Sequence, residues 1–122
     1  MLLNDFYRIK THTVESEKIN AEIIFDKDHA IFKGHFPGQP VVPGVCMLML
    51  VKEIITELHN RSFLFNDIPQ MKFLSMINPN QHPEVDVQIQ LKKTEEGKTI
   101  VDAMLKKEEV VFFKMKARIA DS

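Results

Sequence analysis

Residues 35–53 read HFPGQPVVPGVCMLMLVKE and hold the groups best suited to chemistry in this 122-residue chain. His35 stands in a loop built with Pro37, Gly38, Pro40, Pro43 and Gly44. Imidazole exchanges a proton near neutral pH, the property a general acid or base needs. Proline fixes φ, while glycine admits conformations closed to other residues, so such a loop holds a side chain at low entropic cost. A helix is expected to open near Pro43, because proline suits the first helical turn. Gly44 then sits where backbone N–H groups lack partners within the helix. Such groups, helped by the helix dipole, can polarise a carbonyl oxygen. No carboxylate follows His35 until Glu53. From composition alone, a single histidine in a Pro/Gly loop is more commonly a turn residue than a catalyst.

The remaining reactive side chains point elsewhere. Cys46 falls in the first helical turn, where the dipole can lower a thiol pKa, although small apolar packing is the commoner use of such a cysteine. His12, His29, His59 and His82 show no metal-ligand spacing with Asp, Glu or Cys. His29 and His82 read as loop residues. The Met-rich run CMLML reads as core, and its flexible side chains also suit the lining of an acyl tunnel.

The helix expected from Pro43 to about Asn60 changes character along its length. Residues 45–51 are apolar on every side, which predicts burial all round. Beyond them Lys52, Glu53, Thr56 and Glu57 fall on one arc, opposite Val51, Ile54, Ile55 and Leu58. At about 100° per residue, Met49 lies on the polar arc extended backwards. Glu53 is expected to be solvated or at a dimer contact.

Strand signals surround this helix. Val85, Val87, Ile89 and Leu91 alternate with polar residues, as in a half-buried antiparallel strand. The turns TEEGK and KKEE separate it from TIVDAMLK and then VVFFKMKARI, making a three-stranded meander. In the last strand Phe113, Met115, Ala117 and Ile119 face one way and Lys114, Lys116 and Arg118 the other. Residues 68–77, IPQMKFLSMI, form a further strand candidate ending at the turn NPNQHPE. Ile19, Ala21, Ile23 and Phe25 alternate near the N-terminus, with FYRIKTH beside them. The expectation is an α+β domain of five or six strands with a single helix, spanning residues 1–122. One sheet of this size leaves such a helix partly uncovered, so dimerisation is expected.

The totals narrow the function. A formal net charge of -1 with no basic block argues against nucleic acid as a partner. One cysteine permits no intrachain disulfide and fits a reducing compartment. The N-terminus shows no signal-peptide pattern. The longest apolar run is interrupted by Pro43 and Gly44, well short of the roughly 20 residues of a membrane helix. A soluble, cytoplasmic protein is expected.

The motif HFPGQPVVPGV closely resembles the signature of the β-hydroxyacyl-(acyl carrier protein) dehydratases of the FabZ type, His-Phe-Pro-Gly-His-Pro-x-x-Pro-Gly-Val. His35, Phe36, Pro37, Gly38, Pro40, Pro43, Gly44 and Val45 match, and Gln39 replaces the second histidine. Weaker similarity covers most of the chain: an Ile31–Phe32 strand before GHF, the strand MKFLSMINP, and the closing FFKMKARI.

The resemblance implies a hot-dog fold, an antiparallel sheet wrapped around one long central helix. It also implies paired subunits, as a homodimer, a heterodimer or a hexamer built as a trimer of dimers. The substrate it implies is an acyl thioester on the phosphopantetheine arm of acyl carrier protein, in fatty acid or polyene-type biosynthesis. No metal or redox cofactor is implied. In the family a histidine from one subunit and a helix glutamate from the other share the site. Carried over, His35 is the catalytic residue, and Phe36, Gly44, Val45 and Met49 are substrate-binding positions. Met49 occupies the glutamate's place, four residues beyond Val45, and Glu53 lies where the family usually has glutamine. The resemblance leaves three functions open. One is a dehydratase in which Glu53 or a water replaces the missing acid. Another is a non-catalytic or His35-donating subunit beside an active paralogue. The third is a hot-dog thioesterase.

Overall fold

A computed structural model describes residues 1–34 and 38–121, the last for its backbone alone. The strands are β1 (Tyr7–Glu15), β2 (Lys18–Phe25), β3 (Phe63–Phe73), β4 (Glu84–Lys93), β5 (Thr99–Lys107) and β6 (Val110–Asp121). Two helices, α1 (Ala30–Gly34) and α2 (Gly44–Leu58), lie between β2 and β3. All strand pairings are antiparallel, in the order β1-β2-β4-β5-β6-β3.

The alternating patterns form the sheet because a strand's side chains point to opposite faces. Ile19, Ala21, Ile23 and Phe25 of β2 are buried with Val85, Val87, Ile89 and Leu91 of β4. Phe113, Met115, Ala117 and Ile119 of β6 join them, while Lys114, Lys116 and Arg118 face out. Against this inner face α2 lays Cys46, Met47, Leu50, Val51, Ile54 and Ile55, all buried. The expected meander is therefore present. Its β4–β5 turn closes with Thr94 N–H donating to Lys98 O and Lys98 N–H to the Thr94 hydroxyl, and Gly97 takes a positive φ of 80°.

Several expectations need correction. Ile31 and Phe32 lie in the short helix α1 and not in a strand, so the fold has two helices among the described residues. His29 starts α1: its ring Nδ1 accepts the Ile31 N–H at 3.0 Å, a side-chain cap that a strand reading overlooks. The third strand is shifted towards the N-terminus, to Phe63–Phe73, and residues 74–77 leave it. Pro69, which lacks an N–H, hid its first half from the pattern. It is accommodated because β3 pairs only with β6, as an edge strand, and its register shifts between Asp67 and Gln70. Helix α2 ends at Leu58, with His59 as its C-cap. Finally, residues 45–51 are not buried all round: Val45 is 62% exposed and Met49 42%. The sheet covers one side of α2, and none of the described residues covers the side carrying those two.

Candidate functional site

His35 and Phe36, the two motif residues nearest the expected chemistry, lie outside the described residues. The site is therefore built from Gly38 onwards. Gly38 takes a φ of 86°, which favours glycine. The chain then approaches α2 in extended form, with Val42 N–H donating to Ile77 O at 2.9 Å. Pro43 is the N-cap and provides no side-chain acceptor. Its carbonyl receives the N–H groups of Cys46 and Met47 at 3.0 and 3.3 Å. Among the described residues, Gly44 and Val45 N–H have no acceptor, as expected for the first residues of a helix.

Beside Gly44 lies a cavity of about 530 Å³, with walls from Val42, Met47, Phe73, Leu74 and Met76. Its volume is in the range of small-molecule sites, and its walls are mainly apolar. The structure thus places Gly44 at the cavity edge. Val45 and Met49 sit one turn apart on the uncovered side of α2, so both have access to anything that packs there. Phe73, Leu74 and Met76 are themselves 52%, 53% and 75% exposed. The strand expected over residues 68–77 includes Phe73, which does end β3, but Leu74 and Met76 leave the strand and form the wall with it. Three apolar residues that do not alternate cleanly, just before the turn NPNQHPE, were the signal at hand.

Glu53 is not on this surface. It is 9% exposed, and its side chain is committed to the N-terminal segment. Oε2 accepts Leu2 N–H at 2.8 Å; Oε1 accepts Leu3 N–H at 2.9 Å and the Tyr7 hydroxyl at 3.1 Å. The expectation of a solvated or dimer-contact carboxylate is corrected by this arrangement. Of the polar arc of α2, Glu53 alone is buried, covered by residues some 50 positions away that no local periodicity reports, while Thr56 and Glu57 stay exposed. Burial, reinforced by the adjacent Glu53 carboxylate, raises the Tyr7 phenol well above its ordinary pKa. Burial also pushes the Cys46 thiol up, with a smaller contribution from Glu53. Cys46 is buried and packs as a small apolar residue.

Two of the other histidines are held by structural contacts. His29 presents Nε2 to Asp5 Oδ2 at 3.2 Å, and its ring meets Phe6 edge-on at 5.3 Å. His59 Nε2 contacts Ser16 O at 3.1 Å. Among the described residues no group of three or more His, Cys, Asp or Glu side chains is placed to hold a metal ion. No helix among them is long and apolar enough to cross a membrane.

Comparison with known proteins gives the family and the fold. The ApeI-like family, described as ApeI dehydratase, matches residues 11–114. A 3-hydroxyacyl-[acyl-carrier-protein] dehydratase FabZ of Nitratidesulfovibrio vulgaris (strain DP4) is 31% identical over 93 residues, 66% of this chain and 60% of that protein. The FabZ of the Miyazaki F strain is 29% identical over 114 residues, 83% of this chain and 74% of that one. This chain thus spans less than two thirds of the DP4 relative. Among solved structures, the dehydratase heterocomplex ApeI:P from Xenorhabdus doucetiae superposes with a TM-score of 0.68 at 18% identity, covering 92% of this chain and 96% of that one. A mutant thioesterase from Pseudomonas aeruginosa gives 0.62 at 10% identity, covering 93% and 79%. At those identities the likeness shows the fold alone, the hot-dog arrangement of an antiparallel sheet around a long helix. With the family match extending over most of its length, the chain belongs to the ApeI-like dehydratases and has the hot-dog fold.

Proposed function

We propose that this protein binds acyl thioesters presented by acyl carrier protein and takes part in dehydrating 3-hydroxyacyl groups, in fatty acid or polyene-type biosynthesis. The observation that carries this reading is the apolar cavity beside Gly44, at the start of the helix that comes after the His35 motif. In the proposed site the acyl chain lies against the cavity walls, and the thioester carbonyl faces the Gly44 and Val45 N–H groups. His35 removes the proton α to the thioester. The β-hydroxyl leaves as water once an acid protonates it, and the Cα–Cβ double bond forms.

That acid is the missing part. Met49 neither gives nor takes a proton, and Glu53 already holds three donors away from the cavity. This favours a second form of the same reading, in which His35 works with a carboxylate from a different chain. The similarity to a protein solved as a dehydratase heterocomplex supports it. The exposed Val45 and Met49 are the positions that such a partner would cover. A single domain, working in the cytoplasm as a homodimer, a heterodimer or a hexamer, completes the proposal.

The test is to incubate the purified protein with a 3-hydroxyacyl carrier protein, and separately with the enoyl product, and to follow interconversion by mass. Turnover by the protein alone supports a self-sufficient dehydratase, and its loss in a folded His35→Ala variant assigns the base. Binding of the carrier without turnover supports the subunit form, and a partner chain with a helix glutamate should then restore activity. Absence of both binding and turnover rejects the proposal.

A further inference from the structure

We propose that Phe73 is a specificity-determining residue. Its ring forms a wall of the cavity at the start of α2 and occupies the space that a side chain at residue 44 would claim. The inference rests on the acyl-thioester reading above.

The geometry is specific. A Cβ built on Gly44 would lie 2.7 Å from Phe73 Cε1 and 2.8 Å from Cζ, closer than real side chains approach. The outer edge of the ring therefore fills the volume that any other residue at 44 would claim. The ring also packs on Phe113, with centroids 5.1 Å apart and planes inclined by 36°. Phe113 is fully buried, so that support is fixed. The rest of the ring is open, leaving Phe73 52% exposed.

The backbone around it is held. Phe73 is the last residue of edge strand β3, opposite Phe113 in register. Beyond it Leu74 and Ser75 N–H both donate to Phe112 O, at 2.9 and 3.3 Å. Opposite the ring, Met47 and Val42 form the buried side of the cavity, and Leu74 and Met76 its open side. The ring thus limits the width available to a chain entering beside Gly44. Edge packing alone would explain a large apolar residue at 73, but not the fit of its tip to a glycine at the head of α2.

The experiment compares the full-length protein with its Phe73→Ala and Phe73→Leu variants. The probes are S-butanoyl-pantetheine and S-dodecanoyl-pantetheine. Binding is read from the methyl signals of isotope-labelled Met47 and Met76, which line the cavity. Removing the ring is expected to raise the dodecanoyl-to-butanoyl affinity ratio about tenfold, the scale on which pocket shape discriminates apolar groups. Phe73→Leu should fall between Ala and the native residue, and it serves alone where Phe73→Ala does not fold. An unchanged ratio in a folded variant that still binds both probes overturns the role of Phe73 and leaves the acyl reading standing. No shift of Met47 or Met76 with either probe in any of the proteins overturns the acyl reading, and this inference with it.

Discussion

Glu53→Gln separates a carboxylate that works in chemistry from one that holds the fold together. The native side chain receives three donors on two oxygens, from Leu2, Leu3 and Tyr7. Glutamine keeps one oxygen and replaces the other with a donor. If the retained oxygen stays at the Oε1 position, it still serves Leu3 N–H and Tyr7, without charge. The new amide then faces Leu2 N–H, donor against donor, where the native separation is 2.8 Å. One charge-assisted hydrogen bond is lost and two are weakened; such bonds contribute about 1.5–3 kcal/mol each. Leu2 and Leu3 are only partly buried, so water can satisfy their N–H groups and moderate the loss. The expected destabilisation is about 2 kcal/mol, read as a lower midpoint in urea unfolding with unchanged slope. Tyr7→Phe should cost about 1 kcal/mol, and the double variant less than the sum, since the two groups share one hydrogen bond. Removing an exposed catalytic carboxylate would do the opposite and leave stability level or raised. A Glu53→Gln variant within about 0.5 kcal/mol of the native protein, or strict additivity with Tyr7→Phe, would refute the anchoring role.

Met49→Glu places a carboxylate on a half-exposed helix position, so stability should change by no more than about 0.5 kcal/mol. Dehydration of a 3-hydroxyacyl thioester should rise well above that of the native protein, and no gain in a folded variant would mean that the pocket is not built for this elimination. Tyr7 is the only tyrosine and the chain has no tryptophan, so phenolate absorbance reports it without interference. Its raised pKa means that the folded state keeps a proton that the unfolded state releases. The associated stability is complete below about pH 10 and declines by about 1.4 kcal/mol per pH unit above it. Phenolate should therefore appear only as the protein unfolds, whereas ordinary titration near pH 10 in the folded protein would contradict the burial. For the Cys46 thiol, raised by burial, reaction with a disulfide reagent at about pH 8 should be slow in the native protein and fast in denaturant. Equal rates in the two states would show that Cys46 is accessible.

What the sequence by itself determined was local and periodic. Alternation in β2, β4 and β6 specified which residues enter the core, because side-chain direction in a strand repeats every two residues. The Pro43–Gly44 step marked the start of α2, since proline and glycine constrain the backbone through their own covalent structure. The motif spacing from His35 to Val45 pointed to the dehydratases, and the family match agrees. Helical periodicity put Met49 on the polar arc extended backwards, although the apolar run around it predicted burial, and it lies 42% exposed.

Tertiary structure decided the rest. The same periodicity put Glu53 on the polar arc too, and it is buried. Its partners are Leu2, Leu3 and Tyr7, 46 to 51 residues away, and no window along α2 contains them. The family resemblance implied a strand at Ile31 and Phe32, but they lie in α1, whose start is capped by the His29 ring. Nothing in the sequence links Phe73 to Gly44. They form one wall only because β3 ends beside the start of α2, so that a missing side chain on one makes room for the ring of the other.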